Sequence, residues 1–150
     1  MIKLDKNKFE YMFSQDVLDI FKQYQQKNGE YEIGGILVGE IYLEHNTVVV
    51  KKAIVSKNAK RSFKGVNIDK KEMQRALNKV RVKSDYKWYY LGDWHTHPGP
   101  LPKPSLVDMF SYKSTVKKAI LVTNFIMFVI VGNDEDIAKA ILTEVYFKNE

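Results

Sequence analysis

The feature that most restricts the fold of this chain is a pair of closely spaced histidines followed by a proline-rich loop. His95 and His97 lie within GDWHTHPGPLPKPSLVDMF (92–110), and the four prolines of the chain occupy alternate positions from 98 to 104. Proline cannot donate a hydrogen bond to a β-ladder, so a strand that carries the histidines must end at Pro98. The loop that follows keeps little conformational freedom and leads the chain along a fixed path.

The same stretch predicts that several polar side chains meet at one point. Side chains two residues apart project from the same face of a strand, so His95 and His97 point together. Ser105 and Asp108 have the spacing of a capping box, which predicts a helix that begins near Ser105. Asp108, one turn into that helix, is placed to return toward the histidines.

Two imidazoles and one carboxylate are the ligands of a catalytic zinc site, because three protein ligands leave the fourth position open. Each part alone has an ordinary structural explanation: surface histidines, loop prolines and a capping box that only ties down a helix start. The joint occurrence of H-T-H-P, a six-residue spacer and S-x-x-D favours a metal site. Zinc is the preferred metal, although iron and manganese also accept this ligand set.

A hydrolytic zinc site also needs a base that takes a proton from water and passes it to the leaving group. The segment EIGGILVGE offers Glu32 at its start and Glu40 at its far end, and spacing alone does not choose between them. Gly34 and Gly35 predict the close approach of another backbone, which suits the edge of a site.

Hydrophobic periodicity predicts a single domain over residues 1–150 that alternates strands with helices. Helices are expected from 14 to about 28, from 69 to 82 and from about 105. Strands are expected at IGGILVGEIYL, TVVVKKAIVS, WYYLGDWHTH, KKAILVT, FIMFVIVG and AKAILTEVYF, with KNAKRSFKGV as a loop. This order mixes hairpins with helical crossovers, so we predict a mixed sheet with helices packed against it, an α/β sandwich.

Composition excludes several classes of protein. Without cysteine there is no disulfide framework, no Cys-based zinc finger, no thiol nucleophile and no zinc site of the nucleobase-deaminase type. The net charge of +6 comes almost entirely from lysine, which favours a solvated surface over nucleic-acid recognition. A charged N-terminus and an apolar stretch interrupted at Thr123 and Asn124 predict a cytoplasmic protein without a membrane segment.

Other residues that stand out have plainer interpretations. His45 is expected to be a solvated residue of a hairpin turn. The aromatic run Trp88, Tyr89, Tyr90 and Trp94 indicates core packing along a strand, and Phe63 is equally consistent with a substrate groove and with burial.

The run HTHPGPLPKPSLVD, with EIGGILVG upstream, closely resembles the JAMM (JAB1/MPN/Mov34) metalloproteases, and more narrowly their compact prokaryotic JAB branch. The resemblance implies the cytidine-deaminase-like α/β sandwich of JAB/MPN domains. It also implies that His95, His97 and Asp108 bind one Zn2+ with a water in the fourth position. Glu32 would be the general acid/base, and Ser105 would steady the oxyanion.

By the same resemblance, the chain is a zinc peptidase or isopeptidase in which a metal-bound hydroxide attacks the carbonyl. Its substrate would be a protein that carries, or is conjugated through, a ubiquitin-like C-terminal tail, with E1-like or E2-like operon partners. Related proteins occur in anti-phage operons of the CBASS type. We expect the tail to dock as an added strand, with the strand near 32–39 as one available edge.

Two alternatives remain within the family. Some members have lost the metal and serve as binding scaffolds, although this chain keeps every ligand position of the motif. Others are associated with DNA repair, which leaves a weaker possibility of nucleic-acid binding that salt-dependent binding to oligonucleotides would test.

Overall fold

The computed structural model describes residues 1–27, 30–62, 65–100, 102–119 and 121–148. Phe63 lies outside these ranges, so its expected role stays a prediction. Within the described ranges, the longest helix has 14 residues, and none of the helices combines the length and apolarity needed to cross a membrane.

A six-stranded mixed sheet forms the centre of the fold, in the order β1-β3-β2-β6-β7-β8. The pairs β1–β3 and β6–β7 are parallel, and the other neighbours are antiparallel. The strands are β1 (Glu10–Phe13), β2 (Gly34–Tyr42), β3 (Thr47–Val55), β6 (Trp88–Thr96), β7 (Phe125–Val131) and β8 (Ile141–Phe147), with β4 (Lys60–Ser62) and β5 (Gly65–Asn67) in a separate hairpin. The helices are α1 (Gln15–Gln23), α2 (Lys70–Lys83), α3 (Leu106–Lys118) and α4 (Ile137–Ala140).

Helices cover both faces of this sheet. Val17 and Phe21 of α1 pack on one face, in a core that includes Leu37 and Trp94. On the other face α2 packs on β2 and β6, while α3 packs on β7. Successive residues of β7 alternate between the two cores, as the period of a strand requires. The predicted mixed α/β sandwich is therefore confirmed.

Two predicted elements were wrong, and a third, the final strand, was right except at its start. The stretch predicted as a loop contains the β4–β5 hairpin, whose strands are only three residues long and too polar to show a strand pattern. The described residues of KKAILVT do not form a strand, because α3 continues to Lys118 and the helix dipole favours lysines at a helix C-terminus. The final predicted strand begins as α4, since Asp136 caps the Ala138 amide and starts a helical turn.

The predicted helix boundaries also changed at the first element. Helix α1 ends at Gln23 rather than near 28, and the short strand β1 precedes it. The predicted starts of the second and third helices agree with the N-caps Asp69 and Ser105.

The expectation that the strand near 32–39 offers a free edge was also wrong. Strand β2 pairs with β3 on one side and with β6 on the other, so both of its edges are occupied. Close backbone approach explains its glycines: a Cβ on Gly35 would lie 1.6 Å from the Ile54 carbonyl oxygen, and one on Gly34 would lie 2.6 Å from that of Trp94. Within the described part of the sheet, β1 and β8 are the edge strands.

Candidate metal centre

Strand β6 carries His95, and His97 follows directly after its end; both side chains lie on the face that α2 and α3 cover. Trp94 and Thr96 are fully buried on the opposite side, so His95 and His97 project together toward the helices. The ladder closes where the His97 amide donates to the Val131 carbonyl at 2.9 Å, immediately before Pro98. The two imidazole rings have centroids 5.1 Å apart.

The start of α3 supplies the carboxylate. Ser105 Oγ accepts a hydrogen bond from the Asp108 amide at 3.0 Å, and Asp108 Oδ2 accepts one from the Ser105 amide at 2.9 Å. This reciprocal pair is the capping box expected from the spacing. It holds the Asp108 side chain toward the end of β6.

Asp108 thereby meets both histidines. Its Oδ2 atom lies 3.1 Å from His97 Nε2 and 3.6 Å from His95 Nε2. In a tetrahedral zinc site with bonds near 2.0–2.1 Å, two ligand atoms are about 3.3 Å apart. The observed separations match that spacing.

An orphaned polar atom shows that the cluster fits a metal. His95 Nε2 is buried and has no hydrogen-bond partner within the described part of the chain. Burying such an atom without a partner is costly, and a cation at the centre of the cluster would satisfy it. The His95, His97 and Asp108 side chains therefore fit a divalent metal ion by chemistry and by spacing.

Glu32, and not Glu40, lies beside this cluster. The Glu32 side chain is buried, with Oε1 3.6 Å from His97 Nε2, and candidate ligand atoms of Glu32, His95 and His97 all lie within 4.8 Å of one another. Its position follows from the next residue, because Ile33 exchanges hydrogen bonds with Thr96 at the end of β6. Glu40 is partly buried, six residues beyond Gly34 at this end of β2, and lies opposite Trp88.

The surroundings shift the pKa values of Glu32 and Asp108 in opposite directions. Burial raises the pKa of the Glu32 carboxyl, although His95 and His97 oppose the shift. Burial also raises the pKa of Asp108, but the two imidazoles and the Ser105 amide outweigh it and hold that pKa well below its usual range. The hydrogen bond to Asp108 raises the pKa of His97. Of these two carboxylates, Glu32 is therefore the one whose environment favours taking up a proton, and Asp108 stays ionised.

Two residues of the site were missed by the sequence analysis. Asp93 and Tyr112 line the same cavity of about 100 Å³ as Glu32, His95 and Asp108. Burial raises the pKa of Asp93 to about 6, and its carboxylate accepts a hydrogen bond from Tyr90 at 2.7 Å. The alternation that pairs the histidines also places Asp93 on their face, so this signal was present in the sequence.

The other residues singled out from the sequence lie away from the cluster or in the core. His45 is exposed in a short 3-10 turn, as expected. Trp94 is fully buried against Phe21 of α1, whereas Trp88, Tyr89 and Tyr90 are partly buried on the α2 side of the sheet.

The structure is thus an α/β protein with a mixed sheet, helices on both faces, and a cluster of two histidines and two carboxylates at one strand end that could hold a metal ion. The sequence matches the family described as prokaryotic homologs of the JAB domain over residues 14–142, and the chain belongs to that family. The resemblance stated from the motif is therefore confirmed.

Curated relatives carry a common name. An Escherichia coli protein called CD-NTase/cGAS isopeptidase is 30% identical over 114 residues, which are 76% of this chain and 70% of that protein. A protein of the same name from Enterobacter hormaechei is 33% identical over 92 residues, or 59% of this chain and 48% of the relative. This chain therefore aligns with less than half of the Enterobacter protein.

The fold also resembles a solved structure. A Desulfitobacterium hafniense protein, determined in solution, superposes with a TM-score of 0.63 at 17% identity, covering 94% of this chain and 86% of that one. At this identity the likeness concerns the fold alone.

Proposed function

We propose that residues 1–150 form one domain that acts as a metal-dependent isopeptidase, cleaving after the C-terminal tail of a protein conjugated to a target. The observation that carries the proposal is the convergence of His95, His97 and Asp108 beside the buried Glu32. Membership of the JAB family and the name shared by the curated relatives support it.

Different residues would bind the metal and transfer protons during hydrolysis. His95, His97 and Asp108 would hold one Zn2+, which when bound polarises a carbonyl and lowers the pKa of water to about 7. Glu32 accepts a proton from the attacking water and returns it to the departing amine, since its raised pKa suits both transfers. In an isopeptide this amine is a lysine side chain.

Ser105 is the proposed donor to the oxyanion that develops on the carbonyl. Its oxygen accepts the Asp108 amide as part of the capping box, and this leaves the hydroxyl hydrogen available for donation. Capping fixes the orientation of the side chain before substrate binds. A donor preorganised in this way contributes about 3 kcal/mol to transition-state stabilisation.

The proposed biological substrate is a nucleotidyltransferase conjugated to a target through its C-terminal tail, in a cytoplasmic anti-phage system of the CBASS type. The names of the relatives support this choice. E1-like and E2-like enzymes would be the proteins that make the conjugate.

The test is to incubate the purified protein with such a conjugate before and after treatment with a chelator. We expect cleavage at the end of the tail, its loss on chelation, and recovery with added Zn2+. Metal analysis of the protein as isolated identifies the bound ion. A protein that binds the conjugate, contains no metal and never cleaves would instead be a binding scaffold.

A further inference from the structure

A long groove continues from the candidate metal centre along the sheet, between α2 and α3. Its volume is about 1160 Å³, and it shares Asp93, Ser111 and Thr115 with the cavity of the metal centre. Its floor is apolar where Ile36, Met73 and Leu77 line it. The groove is therefore a continuous path that ends at the proposed reacting centre.

Charge is distributed unevenly in this groove. Three cationic side chains line it, those of Lys70, Arg81 and Lys118, whereas Asp93 at the metal end is its one carboxylate among the described residues. None of these cations forms a salt bridge within the described part of the chain. The groove thus carries positive charge that the rest of the fold does not neutralise.

Arg81 is held in place for ligand binding. Its Nε donates to the Trp88 carbonyl at 3.0 Å, and its guanidinium carbon lies 4.9 Å from the centroid of the Tyr89 ring. These contacts leave both terminal amino groups of the guanidinium available for a bidentate carboxylate. Lys118, exposed at the end of α3, lines the same groove.

The topology places these two cations at the same end of the groove. Strands β6 and β7 are parallel, and Arg81 lies over the start of β6 while α3 ends just before the start of β7. From His95, at the candidate metal centre, back to Tyr89 is six residues of β6, or about 20 Å at the rise of a strand. An extended substrate chain covers this distance with about six residues.

We propose that the groove binds the C-terminal tail of the substrate and selects tails with an acidic side chain about six residues before the scissile carbonyl. This inference rests on the proposed function. A main-chain tail fits a groove of this length, whereas the amine side of an isopeptide reaches the centre only as a single lysine side chain. The acidic group pairs with Arg81 and Lys118, and the tail runs over the apolar floor to the metal centre.

The test measures binding of two fluorescein-labelled peptides to the Glu32→Gln protein, in which cleavage is prevented. Both peptides consist of valine, serine and alanine and end in glycine, and they differ only in glutamate or glutamine at the sixth and seventh residues from the C-terminus. Two exposed charge pairs predict roughly tenfold tighter binding of the glutamate peptide at about 50 mM salt.

Matched variants distinguish binding by the cations of the groove from attraction by the net positive charge of the protein. We expect Arg81→Gln with Lys118→Gln to reduce the preference to about twofold, and Lys118→Glu alone to weaken it. Lys79→Gln with Lys117→Gln removes the same charge from the same helices outside the groove and should keep the preference. Equal binding of both peptides, or equal loss in the control pair, overturns the inference.

Cleavage assays distinguish this inference from the proposed function. Wild-type protein that cleaves glutamate and glutamine conjugates equally well contradicts the charge selection and leaves the isopeptidase proposal standing. Selective binding of the glutamate peptide without cleavage of any conjugate supports the groove and contradicts the activity.

Discussion

Asp108 Oδ2 lies 3.1 Å from Nε2 of His97, although the two side chains come from different secondary-structure elements. The same oxygen accepts the Ser105 amide, so one carboxylate both caps α3 and completes the histidine cluster. The helix start and the metal centre are consequently organised by a single side chain. This dual role leads to the first two predictions.

Replacing Asp108 with Asn is expected to weaken metal binding by at least about 100-fold and to destabilise the metal-free protein near neutral pH, because the ionised carboxylate pairs with both imidazoles in the folded state. The amide oxygen still accepts the Ser105 N–H, but the negative charge between the histidines is lost. Zinc titration and thermal unfolding measure the two effects. Asp16→Asn, in the first turn of α1, is the matched control and should leave metal affinity unchanged.

Ser105→Ala is expected to lower stability by about 1 kcal/mol through loss of the cap, and to reduce turnover about 100-fold with metal still bound. Ser105→Thr keeps a hydroxyl and should restore most of both. Rates and unfolding curves are measured on the same preparations. A loss of stability without a loss of turnover would assign Ser105 to capping alone.

Glu32→Gln is expected to abolish detectable cleavage, a decrease of about 1000-fold or more, without loss of metal. The amide keeps the volume of the buried side chain but cannot accept the proton. Glu40→Gln changes the other carboxylate of the same segment and should retain full activity. Undiminished cleavage by Glu32→Gln would remove this residue from the acid/base role.

The parts of the site that depend on local spacing could be predicted, and those that depend on strand pairing could not. His95, His97 and the capping box follow from periods of two and three along one continuous stretch. The choice of Glu32 over Glu40 needs the pairing of Gly34 with His95 across β2 and β6, and no local pattern specifies that register.

Features of the site that depend on elements distant in sequence could not be predicted either. The occupied edges of β2 follow from sheet order, which tertiary packing decides. Tyr112 has an ordinary helical position after Asp108, and only the packing of α3 on β7 brings its ring to the cavity. Asp93 is the exception, since strand alternation already aligned it with the histidines.

The metal-free protein should lose stability as the pH rises above about 6.5. The pKa of His97 is raised in the folded state, so the stabilisation from its protonated form is complete below its unfolded value of 6.5 and disappears as pH rises through the folded value. Thermal unfolding with chelator between pH 6.5 and 8.5 measures the slope. His97→Gln should flatten it, and an unchanged slope in that variant would contradict the assignment.

Tyr112→Phe should stabilise the metal-free protein by about 1 kcal/mol, because it removes a buried hydroxyl that has no hydrogen-bond partner among the described residues. The ring keeps its stacking on Phe128, with centroids 4.1 Å apart, so no cavity forms. Tyr146→Phe is the matched control: its hydroxyl bonds to Glu144 at 3.2 Å, and removing it should bring no gain. Denaturant unfolding measures the free energy of unfolding of both variants. A destabilised Tyr112→Phe protein would mean that this hydroxyl forms a hydrogen bond within the cavity.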